Sequence, residues 1–249
     1  MSVLRGPAGV MFALSAVLGG CGGQQFGSEL TVRPKPLRLK GEGSYTIRLP
    51  ADEKFSVAVP RAKKQPGLDG SADADARAQG SGAAEAFAKV RRNGVAEATF
   101  QLGHTFANES DDQIDLQVRA KCRYEFDVSN EPQTPLPDAV VELRLYARSV
   151  GGRLVRDLPL VDFNAESGPA CGQADASWAF TVTLTPGEVM AIFAAGRAYV
   201  DSAKERSGQA LLRVSDLSFE VITRPARAAR AAGPTGPPAA TKPQEPSPQ

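Results

Sequence analysis

Apolar and polar residues alternate along much of the middle of this chain. From Ile114 to Val128 every second residue is apolar, and charged or polar side chains occupy the positions between them. Such a period of two predicts one long antiparallel strand with a buried face and a solvated face. Fully extended, it would span about 50 Å. We therefore expect a bend or a β-bulge along it.

Shorter blocks show the same period, at 98–106, 139–147, 178–184 and 217–221. Two compact patterns precede them, at Tyr45–Leu49 and Phe55–Val59, separated by the turn-like residues 50–53. Apolar alternation that is broken by a turn predicts a hairpin there. The sum of these segments predicts an all-β fold, an antiparallel, jelly-roll-like β-sandwich over residues 30–223.

The segment 186–205 fits two structures. Thr185 and Glu188 form a capping-box pattern with Pro186 at the first helical position, and a helical apolar stripe follows. Gly196 interrupts that stripe, however, and Met190 and Ile192 also fit a strand that opposes residues 210–221. The run from Thr183 to Val221 resembles the closing strands of secreted bacterial β-sandwich domains. We favour the strand, and the helix remains the alternative.

Two segments lack the alternation. Residues 61–83 are rich in Gly, Ala, Asp and Lys and predict a long, exposed insertion. Residues 224–249 are rich in Pro and Ala and hold almost no bulky apolar side chain. They cannot bury enough surface to offset the entropy of ordering, so we expect a disordered tail.

The N-terminus carries the most specific motif. Arg5 precedes an uncharged apolar stretch, 7–18, that is too short to span a bilayer and ends in Leu18-Gly19-Gly20-Cys21. The motif resembles the lipobox of bacterial lipoprotein signal peptides. The resemblance implies a signal peptide at 1–20, palmitate-type acyl chains carried by a lipidated Cys21, and a short tether over 21–29. Gly22, in place of Asp, favours the outer membrane.

The remaining cysteines, Cys122 and Cys171, form a possible pair in a compartment that permits disulfides. We expect a disulfide between them, with two unpaired buried thiols as the alternative. Two cysteines and the lone His104 cannot make a standard zinc site.

No motif identifies a reaction. His104 is the only histidine and lies between Leu102 and Phe106, so we expect a buried, hydrogen-bonded side chain and not a catalytic base. Residues 69–75 place Asp at alternate positions but depart from the EF-hand pattern, and the acidic cluster at 109–115 has the composition of a solvated turn. We predict no catalytic residue, no metal and no cofactor.

These observations together predict an extracytoplasmic protein that is lipid-anchored to the bacterial membrane through Cys21. The net charge is +1, which gives no reason to expect nucleic-acid binding. We expect a non-catalytic binding or structural module for a protein partner. A carbohydrate-binding module is the alternative, with Tyr146 and Tyr199 as candidate contacts, and a hydrolase is less favoured. A further set of arginines could contact phosphates at the envelope, namely Arg91, Arg92, Arg224, Arg227 and Arg230.

Overall fold

The fold is all-β. A computed structural model describes residues 26–41, 43–132, 134, 136–150, 153–164 and 168–226, and within these ranges it contains strands and no helix. The expected all-β class is therefore confirmed. The lipobox-like motif at 18–21 and nearly all of the expected tail lie outside the described residues.

Ten strands follow one another along the chain. They are β1 (Leu37–Leu39), β2 (Tyr45–Leu49), β3 (Val57–Pro66), β4 (Ser71–Gln79), β5 (Ala83–Asn108), β6 (Ile114–Asn130), β7 (Asp138–Ser149), β8 (Leu154–Asn164), β9 (Ala170–Leu184) and β10 (Val189–Pro225).

The two longest strands, β5 and β10, pair with each other along most of their length. The antiparallel ladder runs from Val189 opposite Ala107 to Val214 opposite Ala84. Along the first half of the ladder, β3 pairs with the free edge of β5. On the other side, β7 pairs with β10 and β8 pairs with β7. These strands form sheet I. Along the second half of the ladder, β4 pairs with the free edge of β5. On the other side, β6 pairs with β10 and β9 pairs with β6. These strands form sheet II.

Sheets I and II face each other across one core. An added Cβ at Gly196, in the sheet I half of β10, would lie 2.2 Å from the Phe100 ring and 2.8 Å from a methyl group of Leu212 in sheet II. Residues of both sheets belong to a single buried apolar cluster. The arrangement is the jelly-roll-like sandwich that the alternation predicts.

The ladder changes sheets at one corner, where three neighbouring strands are irregular at the same level. In β10 the register shifts between Ser202 and Arg206, and in β5 Arg92 and Gly94 have positive φ angles of 66° and 145°. The edge strand breaks between Pro66 and Ser71, where a Cβ on Gly70 would lie 1.9 Å from the Asn93 carbonyl oxygen. Extra residues and glycines at this level let the strands bend together.

The long alternating segment is confirmed as the single strand β6. Its expected irregularity lies in the partner strand: the register of β10 shifts between Ser215 and Ser218, opposite Cys122. In the segment 186–205 the favoured strand is confirmed from Val189 onward. The capping-box residues form a turn instead, in which Glu188 N–H donates to the Thr185 carbonyl and Gly187 has a φ of 75°. Pro followed by a positive-φ Gly suits a type II turn.

Three pairings differ from expectation. The 45–59 segments do not form a hairpin, because β2 pairs with β10 and β3 pairs with β5. Residues 61–83 are not an insertion: they form most of β3 and all of β4, the edge strands of the two sheets. In β4 the inward side chains are alanines, which are too small to show the apolar period. Residues 189–202 and 210–221 are not paired as two strands, because both belong to β10.

Gly196 gives a direct test of the packing on the inner face of sheet I. We expect Gly196→Ala to destabilise the protein by about 1–3 kcal/mol, because its Cβ would overlap the Phe100 ring and overpack the core. Phe100→Leu in the same chain should recover part of that loss. Urea unfolding of the four proteins in this double-mutant cycle measures the coupling. Additive effects would contradict the contact.

Candidate functional site

The outer face of sheet I is covered by the first described residues of the chain. We call residues 26–31 the N-terminal strap. Tyr146, Ala191, Phe193 and Ala195 are buried on this outer face, where Phe26 and Leu30 of the strap and Leu154 pack against them. The buried side chains therefore form a second, smaller apolar cluster outside the sandwich core.

Gly27 lets the strap approach the sheet closely. Its φ is 67°, and an added Cβ would lie 2.7 Å from the Ala195 Cβ. Both observations favour glycine at this position, because another side chain would be strained and would collide with the strand.

Gln101 in β5 is the main polar contact of the strap. Its side chain is buried, with an exposed fraction of 6%. The amide nitrogen donates to the carbonyl oxygens of Gly27 (3.1 Å) and Glu29 (2.6 Å), and the amide oxygen accepts from the N–H (3.1 Å) and the hydroxyl (3.0 Å) of Thr31. All four bonds of one buried amide thus go to the strap, which sets its position along the sheet.

Arg197 holds the start of the strap. Its guanidinium lies 5.3 Å from the centre of the Phe26 ring and 4.7 Å from that of Tyr199, and it forms ion pairs with Glu97 (3.0 Å) and Glu142 (3.4 Å). A cation between two aromatic rings gains cation–π attraction in addition to its ion pairs.

Two further side chains bind strap carbonyls. The Tyr146 hydroxyl donates to the Phe26 carbonyl oxygen, and Arg148 donates to that of Ser28 at 3.0 Å. Residues 26–29, which the sequence assigns to the tether, therefore lie packed on the sandwich. This contact is hard to predict from the sequence, because Phe26 and Leu30 are the only large apolar residues of the strap and two such residues show no period.

A groove of about 290 Å³ runs between the strap and β3. Its lining residues include Phe26, Glu29, Thr31, Val59, Arg61 and Thr99. Because Arg61 and Phe26 line the same groove, Arg61 lies on the same side of the molecule as the start of the strap.

The two candidate tyrosines do not form an exposed platform. Tyr146 is fully buried, and this burial raises its pKa to about 12. Tyr199 is partly buried beneath Arg197, its hydroxyl donates to Asp201 at 3.1 Å, and burial is also the first cause of its raised pKa. As candidate sugar contacts the two tyrosines are therefore corrected: both occupy outward positions of their strands, but the strap covers Tyr146 and Arg197 covers Tyr199.

His104 is buried and hydrogen-bonded, as expected. Its Nδ1 accepts the backbone N–H of Ser56 at 3.1 Å, and its ring lies 5.4 Å from that of Phe106. Burial lowers its pKa, which keeps the ring neutral. The Nδ1 atom of His104 thus accepts a backbone amide N–H. It does not accept a hydroxyl group, from which a catalytic base would take a proton.

The expected disulfide does not form. Cys122 lies in β6 opposite Ala176 of β9, while Cys171 in β9 lies opposite Asp127 of β6, so five residues of ladder separate the two positions. Cys122 is buried and Cys171 is exposed, and both are free thiols. Five strand residues span about 17 Å, far beyond the Cα separation of a disulfide. Burial raises the pKa of the Cys122 thiol to about 12.

The acidic segments are paired or solvated. Asp73 and Asp75 project from the exposed face of β4 and form ion pairs with Lys64 (3.7 Å) and Arg77 (3.0 Å). In the turn at 109–115, Glu109 pairs with Arg38 at 3.2 Å. Over the described ranges, no three His, Cys, Asp or Glu side chains are placed to hold a metal ion.

The outer face of sheet II carries alternating charges. Arg213 pairs with Glu85 (2.6 Å) and Glu125 (2.8 Å), and Arg123 pairs with Asp175 (2.9 Å). All of these side chains except Asp175 line a groove of about 350 Å³, together with Ala83 and Ser215. Of the candidate phosphate-binding arginines, Arg91 pairs with Glu131 at 2.6 Å, Arg92 and Arg224 are exposed, and Arg227 and Arg230 lie outside the described residues.

Comparison with known proteins assigns no family. No protein-family model matches the sequence, and the search of curated proteins found no match. Similar solved structures include a chain of infectious bursal disease virus strain Gx, with 9% identity, a TM-score of 0.28 and coverage of 76% of this chain and 34% of that one. This chain thus spans about a third of the viral chain.

Two carbohydrate-binding modules are also similar in part. One is the family 11 module from Clostridium thermocellum, with 7% identity, a TM-score of 0.23 and coverage of 71% and 95% of the two chains. The other is the CBM22-1 xylan-binding domain from Paenibacillus barcinonensis, with 8% identity, a TM-score of 0.17 and coverage of 68% and 96%. Similarity at these TM-scores carries no argument about the fold family or the function. None of the described segments is a helix long and apolar enough to cross a membrane.

The lowered pKa of His104 has a consequence for stability. An unfolded histidine titrates near pH 6.5, whereas the buried ring takes up its proton only at lower pH. The unfolded state therefore binds more protons as the pH falls through about 6.5, and the free energy of unfolding decreases there, by at most about 1.4 kcal/mol per pH unit.

His104→Gln keeps an acceptor for the Ser56 N–H but cannot titrate. We expect urea unfolding to show a smaller loss of stability between about pH 7.5 and about pH 5.5 in this variant than in the wild type. The carboxylates contribute equally to the pH dependence of both proteins, so the difference between the two unfolding free energies reports on His104 alone. Identical pH dependence would contradict its burial as a neutral ring.

Proposed function

We propose that this protein is a lipid-anchored module of the bacterial cell envelope, with the outer membrane favoured, which binds or supports a protein partner without catalysing a reaction. The lipobox-like residues Leu18 to Cys21 support the anchor, and the all-β sandwich supports a binding or structural module. The observation that carries the proposal is the docking of the strap on sheet I.

The strap would connect the anchor closely to the sandwich. Cys21 lies five residues before Phe26, and five residues of extended chain reach at most about 18 Å. Because Phe26 is held by Tyr146 and Arg197, lipid on Cys21 would keep the outer face of sheet I near the bilayer. The outer face of sheet II would then point away from the membrane and be free for a partner.

The surroundings of His104 support the non-catalytic part of the proposal. Hydrolytic schemes that use a histidine base need a hydroxyl or thiol within hydrogen-bond reach. Here the Nδ1 atom accepts an amide N–H instead, and the ring is fully buried. A carbohydrate-binding role is less well supported, because Tyr146 is buried and Tyr199 lies beneath Arg197.

The anchor is tested on the protein purified from bacterial membranes. We expect mass spectrometry to show that the mature chain begins at Cys21 and carries a diacylglycerol on its sulfur. Cys21→Ala should prevent acylation and remove the mature protein from the membrane fraction, because two acyl chains provide stable anchoring. Cys171→Ala is the matched control and should remain acylated. An intact Met1 without acyl groups would refute the proposal.

A further inference from the structure

We propose that the edge strand β3 lies on the bilayer surface and that Arg61 and Lys63 bind the phosphates of anionic phospholipids. This inference rests on the proposed anchorage at Cys21 and extends it: the lipid sets the distance of the sandwich from the membrane, and the basic edge sets its orientation.

The position of Arg61 follows from the register. Arg61 lies opposite Thr99 of β5, and Thr99 lies opposite Arg197 of β10, which contacts Phe26. Neighbouring strands are about 4.8 Å apart, so the Arg61 Cα lies about 10 Å from the Cα of Arg197. Arg61 and Phe26 also line the same groove. The five-residue step from Cys21 to Phe26 is therefore long enough to place Cys21 close to Arg61.

Lys63 extends the positive charge along the same face of β3. It lies two residues after Arg61, so the two Cα atoms are about 7 Å apart and their side chains point to one side. Both residues are exposed. Arg33 and Lys35, which follow the strap in the chain, are exposed as well.

The nearby acidic groups are already engaged. Glu97, opposite Lys63, pairs with Arg197 at 3.0 Å, and Glu29 pairs with Arg148 at 3.6 Å. Lys64 points to the other face and pairs with Asp73. In the part of the chain that the structure describes, no carboxylate lies within ion-pair distance of Arg61 or Lys63. Their charges are available to an external anion.

A phospholipid surface fits this arrangement. β3 contributes the two cations Arg61 and Lys63 to this face and contains no acidic residue, and its outer edge has no partner strand among the described residues. Exposed lysines on an edge also oppose pairing with another strand. An anionic bilayer attracts each lysine or arginine near its surface, and the short connection to Cys21 would keep β3 within that field.

The test measures how a bilayer protects lysines in the complete, acylated protein. The protein is reconstituted into vesicles of phosphatidylcholine alone or of phosphatidylcholine mixed with phosphatidylglycerol. A water-soluble amine-acylating reagent then modifies exposed lysines, and peptide mass spectrometry gives the ratio of Lys63 to Lys121 modification. Lys121 is the internal control, because it is exposed on β6 in sheet II.

We expect the ratio to fall several-fold on the anionic vesicles relative to the neutral ones, and high salt should restore it. Arg61→Gln should weaken the protection of Lys63 about five-fold, because it removes one of the surface-bound charges. Arg119→Gln, which removes an exposed charge on β6 in sheet II, is the matched control and should leave the protection unchanged.

Equal modification of Lys63 and Lys121 on both vesicle types would overturn the inference. Equal protection of Lys63 on neutral and anionic vesicles would overturn it too, because it would show that the anchor alone brings β3 to the surface. Failure of the protein to float with neutral vesicles would instead show that the acyl anchor is missing, and would refute the proposed function separately.

Discussion

The continuous pairing of β5 with β10 is the constraint on which the structure depends. One ladder runs through both sheets, and every other strand pairs with β5 or β10 or with a strand that does. The ladder can serve both sheets only if its strands bend at a common level. The positive φ angles of Arg92 and Gly94 and the register shift after Ser202 provide that bend. The corner thus determines which residues face the shared core and which face outward.

The outer faces of the two sheets differ in what covers them. On sheet I, apolar residues of β7 and β10 are buried beneath the strap, and the buried amide of Gln101 satisfies four hydrogen-bonding groups of the strap at once. On sheet II, arginines and carboxylates pair across strands and leave a solvated surface. The proposed anchor would act through the first face, and a partner would meet the second. This asymmetry arises from the position of the strap, which begins five residues after Cys21 in the chain.

The sequence predicts strands best where large apolar residues alternate with charged ones. β6 and β9 show that period clearly, and the structure has both strands. The period is hidden in β4, because alanines supply its inward positions, and in β10, because Gly196 makes room for the Phe100 ring. Pairing is harder to predict than strands, since the partners of β2 and β3 are far away in the chain. For the same reason the burial of Tyr146 and the separation of Cys122 from Cys171 follow only from the register and the strap.

The binding of the strap is tested most directly by hydrogen exchange of the Thr31 backbone amide. In the wild type we expect this amide to exchange slowly, because its N–H donates to the buried Gln101 side chain, and Gln101→Ala should speed its exchange by at least about tenfold, because several hydrogen bonds of about 1 kcal/mol each are lost. Gln117→Ala, on the outer face of β6, is the control and should leave the exchange of Thr31 unchanged. An unprotected Thr31 amide in the wild type, or exchange that does not respond to Gln101→Ala, would show that the strap is not part of the folded sandwich.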